Sequence, residues 1–161
     1  MKAIKLSQKH IQGVALFTMF FMLFSCSKEQ IEKFDDPFVH IMKDNQSRIE
    51  VNTQRRDVVS YYIYYSTKNN NKDLEVTYSV KTGNGLQQGR DFDLLTTENP
   101  LLFPSGIYKR PIQIQWLNRT VEDDEDNTLT ITIEQTNLKE VNIGLPGPNH
   151  YQSEFIIEKK N

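Results

Sequence analysis

Apolar and polar residues alternate over several short stretches of this chain. The clearest stretch runs from Leu74 to Val80, where every second residue is apolar and the residues between are polar. The same alternation recurs at 112–116, 129–133 and 155–157. A period of two is typical of a half-buried β-strand, and no stretch shows the period of a convincing amphipathic helix. The pattern therefore predicts an all-β domain.

Weaker strand predictions and turn-forming segments complete the pattern. The weaker strands are residues 37–42, 48–51 and 58–66. Segments rich in Gly, Asn, Pro and Ser separate the strands, as expected for turns; they are 68–73, 82–89, 103–106 and 145–149. About seven strands, each with one polar face, favour an antiparallel, immunoglobulin-like β-sandwich.

The N-terminal segment has a different composition. Lys2, Lys5 and Lys9 precede the apolar run VALFTMFFML at 14–23, and no acidic residue occurs before Glu29. The run is shorter than the roughly 20 apolar residues that a membrane-spanning helix needs. A basic leader followed by a short apolar run is the pattern of a secretory signal peptide.

The apolar run ends in LFSC, residues 23–26, which resembles the bacterial lipobox. The resemblance implies cleavage just before Cys26 and diacylation of that cysteine, and Cys26 is the only cysteine in the chain. We therefore divide the chain into a signal peptide (1–25), a lipidated tether (26–36) and a β-sandwich domain (37–161). An ordinary signal peptide with an incidental cysteine and an uncleaved anchor are the alternatives.

The segment after Cys26, SKEQIEKFDD, resembles the charged export signals of surface lipoproteins in the Bacteroidota. That resemblance implies a lipid-anchored protein of the outer membrane, exposed at the cell surface. The whole chain has 19 basic and 21 acidic residues, and three of the lysines lie in residues 1–25, so the remainder has a formal charge of about −5. An acidic domain without a basic patch argues against nucleic acid as a partner.

The order of motifs from Leu74 to Ile157 resembles that of Calx-beta domains. The resemblance rests on a strand, a glycine turn and a Gly-x-Asp-aromatic motif, which correspond to Thr82, Gly85, Gly89, Asp91 and Phe92. The segment LLFPSG, with Phe103 and Gly106, follows in family order. Glycine takes positive φ at low cost, and an aspartate can accept hydrogen bonds from backbone amides in its own turn. We expect these roles for Gly85, Gly89 and Asp91.

The run VEDDED, residues 121–126, places five carboxylates together. The family resemblance makes Glu122, Asp124 and Glu125 candidate calcium ligands, since calcium takes six to eight oxygen ligands. Calcium-binding Calx-beta domains have further carboxylates where this chain has Leu117 and Asn118, and where it has Lys159 and Lys160. The alternative is a solvated acidic loop without a metal, which we favour.

Enzymatic chemistry finds little support in the sequence. Neighbouring carboxylates in one exposed run lack the burial that separates the pKa values of a glycosidase pair, so a glycoside hydrolase is a remote alternative. After the leader, only His40 and His150 remain as histidines, too few for a zinc site, and we expect both on the surface. We expect a protein without a catalytic site.

The tyrosine cluster YYIYY lies at 61–65. In a strand, Tyr62 and Tyr64 share one face, and Tyr61 and Tyr65 share the other. If the first pair is exposed, it could stack on sugar rings; the alternative, which we favour, is that half-buried tyrosines simply suit a strand.

The sequence thus favours a non-catalytic binding or assembly module at the outer membrane, whose partners are other outer-membrane proteins or a glycan. A role as an accessory of a glycan-import system is implied by the family resemblance alone. Direct binding of a polysaccharide by this protein is the alternative function.

Overall fold

The computed structural model of the protein describes residues 36–161, and these residues form ten β-strands and no helix. The strands are β1 (Phe38–Met42), β2 (Arg48–Asn52), β3 (Val58–Ser66), β4 (Leu74–Thr82), β5 (Phe92–Leu94), β6 (Leu101–Phe103), β7 (Lys109–Trp116), β8 (Thr128–Thr136), β9 (Asn142–Ile143) and β10 (Glu154–Lys160). The four stretches predicted from alternation and the three weaker predictions all coincide with strands.

The strand count exceeds the expected number. The prediction of about seven strands omits β5, β6 and β9, which are only two or three residues long. So few residues cannot display a period of two, and each of these short strands lies at the edge of a sheet. The all-β sandwich is confirmed, with ten strands instead of about seven.

The strands form two five-stranded sheets. The first sheet has the order β5-β7-β3-β1-β9, and the second has the order β2-β10-β8-β4-β6. Each sheet contains one parallel pair, β1 with β9 and β10 with β2, whereas the other pairs are antiparallel. The expectation of purely antiparallel sheets is therefore wrong at one edge of each sheet.

The core lies between the inner faces of the two sheets. Tyr61 of the first sheet packs against Phe155 of the second, with ring centroids 5.6 Å apart, and Tyr65 meets Phe103 edge-on at 6.5 Å. Both tyrosines are buried, as the alternation in β3 requires. Trp116 is fully buried and its Nε1 donates a hydrogen bond of 3.0 Å to the hydroxyl of Tyr61. The aromatic packing thus joins the two sheets, and the hydrogen bond within the first sheet gives the buried N–H of Trp116 an acceptor inside the core.

Candidate functional site

The acidic loop, residues 117–127, connects β7 to β8 and packs against the turn at 83–85. The backbone N–H of Gly85 donates to the carbonyl of Asp126 at 3.0 Å, and the side chain of Asn84 accepts from the N–H of Asp126 at 2.9 Å. A Cβ at Gly83 would overlap Asp126, and a Cβ at Gly85 would overlap Asn127. Gly85 is thus required by close approach and not by the positive φ that we expected, whereas Gly89 does have a positive φ of 81°.

The calcium candidates Glu122, Asp124 and Glu125 are all exposed on this loop. Within residues 36–161, no three His, Cys, Asp or Glu side chains come together in an arrangement that could hold a metal ion. Lys160 forms ion pairs with Glu50 and Glu158. The loop therefore presents separate solvated carboxylates in this structure.

Asp91 is the one buried carboxylate among the described residues. Its side chain is fully buried, and Oδ2 accepts hydrogen bonds from the backbone N–H of Gln87 at 2.9 Å and from Nε of Arg90 at 2.6 Å. The expected bond to a backbone amide of its own turn is confirmed. The Nε of Arg119 lies 3.6 Å from Oδ1. Asp91 is thus a buried anion between two partly exposed guanidinium groups.

Lys159 is also fully buried, next to Asp91. Its Nζ donates hydrogen bonds to the backbone carbonyls of Leu117 (2.8 Å) and Asp91 (3.1 Å), and lies 6.0 Å from the ring centroid of Trp116. Burial lowers the pKa of Lys159, and the negative charge of Asp91 opposes that effect. Lys159 is thus a buried counter-charge to Asp91, a role that its position in the sequence did not indicate.

The two candidate ligand-binding tyrosines, Tyr62 and Tyr64, lie together on the outer face of the first sheet. Both are partly exposed, and their ring centroids are 6.2 Å apart. The ring of His40 stacks on Tyr64 with centroids 5.3 Å apart, and Nζ of Lys109 lies 5.0 Å from the ring centroid of Tyr62. Neighbouring side chains thus occupy part of the ring surface that would contact a sugar.

The two histidines differ from each other in exposure. His150 is exposed, as expected. His40 has only 7% of its surface exposed, so its expected surface position is wrong, and burial lowers its pKa. The histidine stacks on Tyr64 on one side and lies 5.4 Å from the ring of Phe38 on the other. His40 therefore belongs to an aromatic row on the outer face.

Two polar clefts lie at the end of the sandwich that carries the acidic loop. One has a volume of about 550 Å³ and is lined by amide and hydroxyl side chains and by Arg56, without any carboxylate. With its amide oriented to match its neighbours, Asn118 accepts from Nη2 (2.6 Å) and Nε (3.1 Å) of Arg56. The second cleft, of about 410 Å³, is lined by charged residues of both signs. Neither cleft could be predicted from the sequence, because the walls of each come from segments distant in the chain.

Cys26, the candidate lipidation residue, lies outside the described residues, as do the signal peptide and all of the tether before residue 36. In the described part of the chain, no helix has the length and the apolar character needed to cross a membrane. In the comparisons with known proteins, no protein-family model and no curated protein matches this chain.

Proposed function

We propose that the protein is a non-catalytic lipoprotein of the outer membrane, exposed at the cell surface and anchored through Cys26. The observation that carries this proposal is the LFSC sequence directly after a basic leader and a ten-residue apolar run at 14–23. Burial of acyl chains contributes about 0.8 kcal/mol per methylene group, so two or more chains on one cysteine hold a protein stably to a bilayer. The polar segment 27–36 then connects the anchor to the sandwich.

The role of the domain in this proposal is binding or assembly, as an accessory of glycan uptake. The cleft that contains Arg56 and Asn118 supports this role, because neutral hydrogen-bonding groups around a guanidinium suit a polar ligand. For the fold, the proposal is an immunoglobulin-like, Calx-beta-like sandwich. Support comes from the order of the motifs, the positive φ of Gly89 and the turn built around Asp91.

Replacing Cys26 with alanine tests the anchor. We expect wild-type protein in the membrane fraction, labelled by radioactive palmitate, because the acylated cysteine partitions into lipid. The Cys26→Ala variant should lose the label completely and leave the membrane fraction. The neighbouring Ser27→Ala variant keeps the cysteine and should behave like wild type. If the wild-type protein carries no palmitate label, the proposal is refuted. This holds even if an uncleaved leader keeps the Cys26→Ala variant in the membrane fraction.

Direct polysaccharide binding through Tyr62 and Tyr64 is the second candidate function. It is favoured by their shared outer face and partial exposure, although His40 and Lys109 occupy part of the rings. Stacking of a base or similar ring on an aromatic side chain contributes about 1–3 kcal/mol, and we expect sugar stacking to contribute at the lower end of that range. Affinity electrophoresis in gels that contain polysaccharides should therefore show retardation that Tyr62→Ala weakens about tenfold. Tyr151→Ala, an exposed tyrosine outside this row, is the matched control. Equal retardation of both variants would exclude this site.

A further inference from the structure

The N-terminal tether joins the sandwich at one of its two ends. Strand β1 begins at Phe38, which pairs with Ser66 at the last position of β3. The chain therefore enters the sandwich at the end closed by the connecting segments 67–73, 104–108 and 137–141. We call this the tether end. The opposite end, which we call the distal end, is closed by the segments 53–57, 83–91 and 117–127.

The tether end exposes two adjacent apolar side chains on a braced loop. Ile107 and Tyr108 are 41% and 49% exposed. The carbonyl of Ile107 accepts a hydrogen bond of 2.8 Å from the side chain of Asn70, and the hydroxyl of Ser105 donates to the carbonyl of Asn70 at 2.9 Å. The N–H of Ser105 also donates to Asp73 at 2.9 Å. Segments 67–73 and 104–108 are thus joined, and the fold holds this apolar pair in solvent.

The two ends also differ in charge. The three segments of the tether end carry three lysines and two carboxylates, a formal charge of +1. The three segments of the distal end carry four arginines and seven carboxylates, a formal charge of −3. A surface with anionic lipid headgroups attracts lysines and repels a cluster of carboxylates. The charge difference therefore favours the tether end as the side that faces a membrane.

The length of the tether keeps the tether end close to the bilayer. Nine residues, 27–35, lie between Cys26 and the first described residue, Asp36. A fully extended chain spans at most about 3.3–3.6 Å per residue, so an acylated Cys26 keeps Asp36 within about 35 Å of the lipid surface. This step rests on the lipid anchor of the proposed function.

We propose that the tether end is a membrane-contacting surface. Ile107 and Tyr108 enter the headgroup region, where a tyrosine can bury its ring and keep its hydroxyl hydrated. The net positive charge of the three segments at this end favours contact with anionic headgroups. The sandwich then stands on the bilayer, with the acidic loop and the two polar clefts directed away from it.

A pair of single-cysteine labels tests this orientation. Because Cys26 is the only cysteine and is acylated in the proposed protein, Lys139→Cys and Asp124→Cys each introduce one free thiol. Both positions are exposed, one at the tether end and one at the distal end. The full lipoprotein, labelled with a fluorophore, is reconstituted into vesicles of phosphatidylethanolamine and phosphatidylglycerol that contain a headgroup spin-labelled lipid. We expect severalfold stronger quenching of the label at position 139.

Each outcome separates the orientation from the anchor. The double substitution Ile107→Ser and Tyr108→Ser, in the protein labelled at position 139, should reduce its quenching towards that of the label at position 124. Equal quenching at the two positions in vesicle-bound protein would overturn the orientation and leave the anchor intact. If neither protein floats with the vesicles, the lipid anchor is wrong, and this proposal fails with it.

Discussion

Replacing Asp91 with alanine is expected to destabilise the domain by about 3–5 kcal/mol, because it leaves the buried ammonium of Lys159 without a nearby negative charge and Arg90 without its ion-pair partner. Asp91 and Lys159 are both fully buried, and Lys159 has only backbone carbonyls as direct hydrogen-bond partners. The substitution also removes the acceptor for the N–H of Gln87. Urea denaturation, followed by the fluorescence of the single tryptophan, measures the loss.

Two further variants distinguish charge from hydrogen bonding at Asp91. Asp91→Asn keeps an acceptor for Gln87 and removes the charge, so its loss should be smaller than that of Asp91→Ala. The control is Asp57→Ala, since Asp57 forms an exposed ion pair with Arg55 at 2.6 Å, and exposed pairs contribute little to stability. If Asp91→Ala lowered the free energy of unfolding no more than Asp57→Ala, the buried carboxylate of Asp91 would not stabilise the domain.

Raising the pH from 10 to 12 is expected to destabilise the domain by about 2 kcal/mol through one residue, Tyr61, since a difference of one pKa unit corresponds to roughly 1.4 kcal/mol. Burial raises the pKa of Tyr61 to about 12, and the hydrogen bond from Trp116 only partly opposes this. An unfolded tyrosine has a pKa of about 10. In this window the unfolded chain loses a proton that the folded domain retains, so stability is complete below pH 10 and falls as the pH rises.

The Tyr61→Phe variant isolates this effect. At neutral pH it should be less stable by about 1–3 kcal/mol, because Nε1 of Trp116 loses its acceptor inside the core. Its stability should then change less between pH 10 and 12 than that of the wild type. Burial also raises the pKa of Tyr78, but that residue is common to both proteins. Parallel curves of unfolding free energy against pH would contradict the assignment to Tyr61.

The strands of the core could be predicted from the sequence because their signal is local. A period of two over five or more residues located β4, β7 and β8, and it divided the tyrosines of β3 between inner and outer faces. Strands of two or three residues carry no such period. The parallel pairing of β2 with β10 joins residues more than one hundred positions apart, and nothing in either strand alone indicates its direction relative to the other.

The residues of the candidate sites could likewise be predicted only where the signal is local in the sequence. Lys159 shares the alternation of Phe155 and Ile157, so its inward position had a signal, but lysine is rarely buried without a partner and its partner Asp91 is distant in the chain. The contacts of His40 and Lys109 with Tyr62 and Tyr64 also come from other strands. Sequence could identify which tyrosines share a face, but it could not show what covers them.

The position of β10 in the second sheet determines when this domain can fold. Strand β10 lies between β2 and β8, so β2, near the start of the domain, has no neighbour in its sheet until residues 154–160 are available. Pairings that close such long loops are entropically costly and form slowly. The chain therefore stays without its complete second sheet during synthesis until almost the whole domain has been made.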